Sequence, residues 1–123
     1  MVLRCVIVDD SPHFLHAARV LLEREGCEVL GVASTSGEAL RQIEEVRPDV
    51  ALVDVDLGTE SGFDLAQRIQ RETSLTPGKV ILVSTYAEED FADVIDSSPV
   101  AGFLSKSDLS ARAIRDILDG ART

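Results

Sequence analysis

VLRCVIVDDSP, residues 2–12, decides the fold: a run that is apolar save for Arg4 breaks off at two adjacent aspartates and passes directly into a Ser-Pro pair. An apolar run from Val2 to Val8 without in-out alternation suits a strand covered on both faces. Ser11 is a favoured N-cap and Pro12 is tolerated in a first helical turn, so a helix opens where the strand ends. Phe14, Ala18, Leu21 and Leu22 then recur at helical spacing until Gly26 stops the pattern.

The same alternation continues along the chain. Strands are expected at Val29–Ala33, Val50–Val53, Val80–Val83 and Val100–Leu104. Between them, Ser36 is placed to cap a helix with Ala39, Leu40, Ile43 and Val46 on one face and Pro48 beyond its end. Phe63, Leu65, Ala66 and Ile69 mark a third helix after a loop over residues 56–61, and Thr76, Pro77 and Gly78 form the turn that follows. Residues 88–95 offer only Phe91, Val94 and Ile95 as apolar anchors, which predicts a short, weakly held helix. Ala113, Ile114, Ile117 and Leu118 face a last helix ending near Gly120. Strict strand-helix alternation implies the α/β class: a doubly wound five-stranded parallel sheet with right-handed crossovers and helices on both faces. The expectation is a single domain spanning residues 1–123 with its core at about 3–120.

Composition narrows the function classes. The formal net charge is 12 minus 22, or −10, which opposes direct binding to nucleic acid or to an anionic membrane surface. No apolar run approaches membrane-spanning length and no leader pattern opens the chain, so the expected location is the cytoplasm. Cys5 and Cys27 lack the paired spacing of zinc or redox sites and read as buried, reduced thiols. His13 and His16 sit three apart without a carboxylate or thiol to complete a ligand set, and read as surface residues.

In sheets of this kind ligands bind outside the carboxyl ends of the strands. That edge collects Asp9 and Asp10 after the first strand, Asp54 after the third, Ser84 and Thr85 after the fourth, and Ser105 and Lys106 after the fifth. Acids and hydroxyls after strands are often only helix caps, and a lone lysine is usually a solvated charge. Together they converge on one crevice. Carboxylates brought close repel one another unless a cation lies between them, and Mg²⁺, which takes hard oxygen ligands and keeps room for phosphate oxygens, is the natural candidate. Lys106 adds a second positive charge and Ser84 a hydroxyl donor, a set suited to phosphoryl transfer onto a carboxylate.

With VIVDDSP, PDVALVDVDL, ILVST and GFLSK in place, the chain resembles the receiver domain of bacterial response regulators from about Leu3 to Gly120. It is most similar to receivers that precede a helix-turn-helix output domain. The resemblance implies a flavodoxin-like strand order 2-1-3-4-5 and a role as phosphoacceptor in a two-component phosphorelay. Asp54 is then the phosphorylated nucleophile, Asp10 a direct metal ligand, Asp9 the holder of a metal-bound water, and the Asp54 carboxylate and Asp56 backbone carbonyl further ligands of Mg²⁺ or Mn²⁺. Ser84 and Lys106 would bind the transferred group, and Ser84 with Phe103 would form the switch that biases a surface made by the fourth helix, fifth strand and fifth helix. Asp56, Thr85 and Tyr86 occupy positions that tune access to, and hydrolysis of, the acyl phosphate. The implied partners are a sensor histidine kinase or phosphotransfer protein, an unidentified downstream protein, and a second copy on phosphorylation. The implied catalysis is confined to the protein's own phosphorylation and dephosphorylation.

Several positions depart from the family pattern. Ser107 stands where many receivers carry a cis-bonded proline; since a non-proline cis bond costs about 2.5–4 kcal/mol, trans is expected. Gly58 replaces a common proline, which predicts a looser loop after Asp54. Thr85 and Tyr86 crowd the approach to Asp54, and a phosphoryl lifetime longer than minutes is expected. Two other readings compete. DVDLGT, residues 54–59, resembles the nucleophile motif of haloacid-dehalogenase-type phosphatases, but there the motif lies at the first strand and precedes the lysine and acidic pair, whereas here the acidic pair comes first. The other is a phosphate-independent interaction module; the complete set of Asp9, Asp10, Asp54, Ser84 and Lys106 argues against it. A flavin carrier is disfavoured because Asp9 and Asp10 stand where a phosphate loop would be needed.

Overall fold

The computed structural model describes residues 2–120. Five strands, β1 (Arg4–Val8), β2 (Glu28–Ala33), β3 (Val50–Asp54), β4 (Val80–Ser84) and β5 (Gly102–Ser105), alternate with α1 (Pro12–Arg24), α2 (Ser36–Val46), α3 (Gly62–Glu72), α4 (Ala92–Asp96) and α5 (Ala111–Gly120). The strands are all parallel and lie in the order β2-β1-β3-β4-β5, which is the flavodoxin-like order 2-1-3-4-5.

Strand residues divide the core in two, as a pleat with side chains on alternate faces requires. Cys5, Ile7, Leu52, Ile81, Val83 and Leu104 face α1 and α5, where Leu15, Ala18, Leu22, Ala111 and Ile114 meet them. Val6, Val8, Ala51, Val53, Val80, Leu82 and Phe103 face the opposite layer, built on Ala39 and Ile43 of α2 and Leu65, Ala66 and Ile69 of α3. Strands buried on both faces account for the continuous apolar runs in the sequence. Cys5 and Cys27 are buried and unpaired; burial, with Cys27 adding to it, pushes the Cys5 thiol up to about 12, so it stays protonated at neutral pH. His13 and His16 are exposed.

Local signals work largely as read, with three corrections. Ser11 accepts the Phe14 N–H at 3.3 Å and Pro12 opens α1. Gly26 (φ 90°) ends the helix, its N–H donating to the Glu23 carbonyl and the Cys27 N–H to the Leu22 carbonyl, a Schellman closure. The buried face of α1, however, is Leu15, Ala18 and Leu22, while Leu21 is 37% exposed: the true stripe steps from Leu15, not Phe14. The cap of α2 is Thr35, whose hydroxyl accepts from the Glu38 N–H, and Ser36 is the first helical residue. Residues 56–61 are not a plain loop: Asp56–Leu57 pairs antiparallel with Glu60–Ser61, turned by Gly58 at φ 78°. The fourth helix is short as expected: a 3₁₀ segment at Glu88–Phe91 leads into five residues of α4, none of them buried. No peptide bond among the described residues is cis, so Lys106–Ser107 is trans. No described helix is long and apolar enough to cross a membrane.

Candidate functional site

Parallel register delivers the polar residues to one edge. Asp54, the last residue of β3, pairs with Val83 of β4, and Ser84 lies beside Ser105, the residue before Lys106. Asp9 follows β1 and is held through its backbone and its side chain: its N–H donates to the Ala33 carbonyl at 3.0 Å, and its Oδ1 accepts the Ser11 N–H at 2.8 Å. Carboxylate oxygens of Asp9, Asp10 and Asp54 all lie within 4.8 Å of one another, with Asp9 and Asp54 buried and Asp10 exposed at the mouth.

Lys106 bridges the two buried acids. Its Nζ stands 2.7 Å from Asp9 Oδ2 and 3.1 Å from Asp54 Oδ2. The other Asp54 oxygen, Oδ1, accepts the Asp56 N–H at 3.1 Å. Burial pushes the Asp54 carboxyl up to about 6; the Asp56 N–H and the Lys106 ammonium oppose that rise, and Asp9 reinforces it. Burial works to lower the pKa of Lys106, but Asp9 and Asp54 outweigh it and the net direction is up.

One lysine cannot serve three acids. Asp9 Oδ2 is buried and meets the Lys106 ammonium as an ion pair with no hydrogen-bond donor aligned to it. Three carboxylates gathered around a single ammonium are what a hard divalent cation would neutralise, so the donor set fits Mg²⁺ or Mn²⁺. The exposed Asp56 side chain turns back to accept the Gly58 N–H at 3.0 Å, leaving its backbone as the part available to the site. A Cβ on Gly58 would sit 3.0 Å from Asp10 Oδ2, so the glycine also leaves that carboxylate room.

The Ser84 side chain is buried, and its Oγ accepts the Tyr86 N–H at 3.0 Å. Its hydrogen bond thus goes to the following loop and not to the carboxylates. Phe103 is 7% exposed and packs inward, its ring centroid 6.1 Å from that of Phe91. Phe91 also meets Phe63 at 5.7 Å and Tyr86 at 6.2 Å. Thr85 and Tyr86 are exposed. Two features escaped sequence reasoning. Phe14 places its ring 4.2 Å under Lys106 Nζ, although helical spacing marks it as just another core residue. Gly62 lies so close to β3 that an added Cβ would collide with the Asp54 carbonyl oxygen; a glycine eight residues past an aspartate carries no such signal in one sequence.

Comparison with known proteins agrees with this geometry. The family model described as response regulator receiver domain matches residues 5–119. The chain is 30% identical to the transcriptional regulatory protein YvfU of Bacillus subtilis, over 98% of this chain and 61% of that protein. It is 26% identical to the DNA-binding transcriptional activator EvgA of Escherichia coli, over 86% of this chain and 51% of the relative. The chain therefore spans between half and two-thirds of the length of these regulators. Among solved structures, it resembles a CheY-like response regulator receiver domain protein from Methanospirillum hungatei (TM-score 0.79, 29% identity, 99% of this chain and 98% of that one). It also resembles the signal receiver domain of the response regulator NarL from Mycobacterium tuberculosis (TM-score 0.80, 28% identity, 98% and 97%). With the acid cluster, the bridging lysine and the strand order in agreement, the chain belongs to the response regulator receiver domain family.

Proposed function

We propose that residues 1–123 act as one receiver domain that accepts a phosphoryl group on Asp54 from the phosphohistidine of a sensor histidine kinase or phosphotransfer protein. The observation that carries this reading is the convergence of Asp9, Asp10 and Asp54 around Lys106 at the carboxyl edge of the sheet. An Asp54 oxygen forms the new O–P bond as the P–N bond of the donor breaks. Lys106 and the Ser84 hydroxyl bind oxygens of the arriving group. Asp9, Asp10, Asp54 and the Asp56 carbonyl would hold Mg²⁺ or Mn²⁺, which supplies charge neutralisation for a loose transition state that needs positioning more than covalent chemistry.

The product adds negative charge where Lys106 and the metal are concentrated. Drawing the Ser84 hydroxyl toward it would break the bond from the Tyr86 N–H and change the packing around the buried Phe103 ring. A change there biases the surface of α4, β5 and α5 for a downstream protein or a second copy of the chain. With net charge −10, this domain does not itself bind nucleic acid or membrane, and it works in the cytoplasm. It turns over only its own acyl phosphate. Thr85 and Tyr86, just past the end of β4, slow hydrolysis, giving a phosphoryl lifetime longer than minutes.

Borohydride reduction of the labelled protein followed by peptide mapping tests the assignment, because it converts an aspartyl phosphate to homoserine. Homoserine at position 54 supports the reading. Label on a histidine or hydroxyl, or multiple turnover of a phosphomonoester as a phosphatase would show, overturns it.

A further inference from the structure

The chain contains four phenylalanines, one tyrosine and no tryptophan. Phe63, Tyr86, Phe91 and Phe103 form a single ring cluster beside β4 and β5. The fifth aromatic, Phe14, stands apart from them under the Lys106 ammonium, its ring centroid 4.2 Å from Nζ. Part of Phe14 packs on the core face shared by α1 and α5, which a leucine would do equally well. Its ring face does something that leucine cannot.

The lysine has three N–H donors. Asp9 Oδ2 and Asp54 Oδ2 approach at 2.7 and 3.1 Å, and the negative face of the Phe14 ring lies on a further side. An oxygen acceptor in that place would bind the ammonium more tightly and compete with a phosphoryl oxygen for it. A ring attracts the charge more weakly and with less directional demand, so it competes less for the donor. The ring is also fixed to the acid cluster through one short chain of bonds: Asp9 Oδ1 accepts the Ser11 N–H, and Ser11 Oγ accepts the Phe14 N–H. The loop that aims Asp9 at Lys106 therefore places the ring as well.

We propose that Phe14 is a positioning residue for phosphoryl transfer, holding the Lys106 ammonium at the site through a cation–π contact when a divalent cation draws the carboxylates away from it. The inference rests on Asp54 being the phosphoacceptor. Without the ring, Lys106 samples more solvent-facing rotamers and binds the donor's phosphoryl oxygens less well, while the groups that perform the transfer are unchanged.

The test compares the native chain with Phe14→Leu, which keeps apolar bulk, and Phe14→Tyr, which keeps the ring. Two measurements are made on each. In the unphosphorylated protein, the Lys106 ε-methylene proton resonances should be shifted upfield by the ring in the native and Tyr chains and return toward ordinary lysine values in the Leu chain. In Asp54 labelling by acetyl phosphate with Mg²⁺, the Leu chain should need about a two- to fivefold higher half-saturating donor concentration, with a smaller change in the maximal rate and restoration by Tyr. Unshifted Lys106 methylenes in the native chain, or equal half-saturation in native and Leu chains, overturns the proposal. Failure of the native chain to label under any donor sinks the phosphoacceptor reading instead, and the methylene shifts still decide whether the pairing exists.

Discussion

Asp54 carries two conflicting demands, burial deep enough to exclude water and a charge that burial penalises. Its folded-state pKa, up at about 6 against an ordinary 3.8, means that the folded chain holds this proton longer than the unfolded one. The Asp54 contribution to stability therefore falls as pH rises from about 4 to about 6 and stays reduced above that window. Asp54→Asn should be more stable than the native chain in metal-free buffer at pH 8, by on the order of 2 kcal/mol, and the gain should vanish near pH 4. Urea unfolding at the two pH values checks this, and equal stability at pH 8 contradicts it. Gly62 belongs to the same neighbourhood, because its missing Cβ lets the start of α3 press against the Asp54 carbonyl. Gly62→Ala should cost about 1–3 kcal/mol in the same assay and slow labelling of Asp54, as the backbone under the carboxylate is forced aside.

Among the elements, α4 is the one held least firmly. None of its five residues is buried, and Phe91 at its entrance ties it to Phe63 of α3, Phe103 of β5 and Tyr86. Phe91→Ala should speed amide hydrogen exchange over residues 92–98 while the amides of β1 and β3 stay protected, with a global loss of about 1–3 kcal/mol. Unchanged exchange in α4 would mean that Phe91 is not its anchor. The weakness of α4 was legible in the sequence as a shortage of apolar anchors, and the five strands were legible because burial on both faces writes itself as unbroken aliphatic runs. Contacts between a side chain and distant backbone were not. Glu25 Oε1 accepts the Ala111 N–H at 2.6 Å, joining the end of α1 to the start of α5, and Glu60 Oε1 accepts the Ser36 N–H at 3.0 Å, tying the small hairpin to α2. Neither glutamate carries a local pattern, since its partner is chosen by the fold. The acid cluster was legible because each member sits at a strand end, whereas the Phe14 ring under Lys106 was masked by its ordinary place in a helical stripe.

Across the molecule, two aliphatic layers grip a parallel sheet and leave its carboxyl edge as the place where charge accumulates. The sheet supplies the rigid edge that carries Asp9, Asp54 and Lys106, and α4, with none of its residues buried, is packed more loosely beside it. A net charge of −10 makes cation binding at that edge favourable for the molecule as a whole as well as for the site. Under the proposed function, this edge takes a phosphoryl group on Asp54 only when a divalent cation is present. Intact-protein mass after incubation with acetyl phosphate and Mg²⁺ tests it most directly, alongside Asp54→Asn and a sample treated with chelator. The native chain should gain one phosphoryl group and neither control any; a gain that survives in Asp54→Asn or in the chelated sample rules out a metal-dependent Asp54 site.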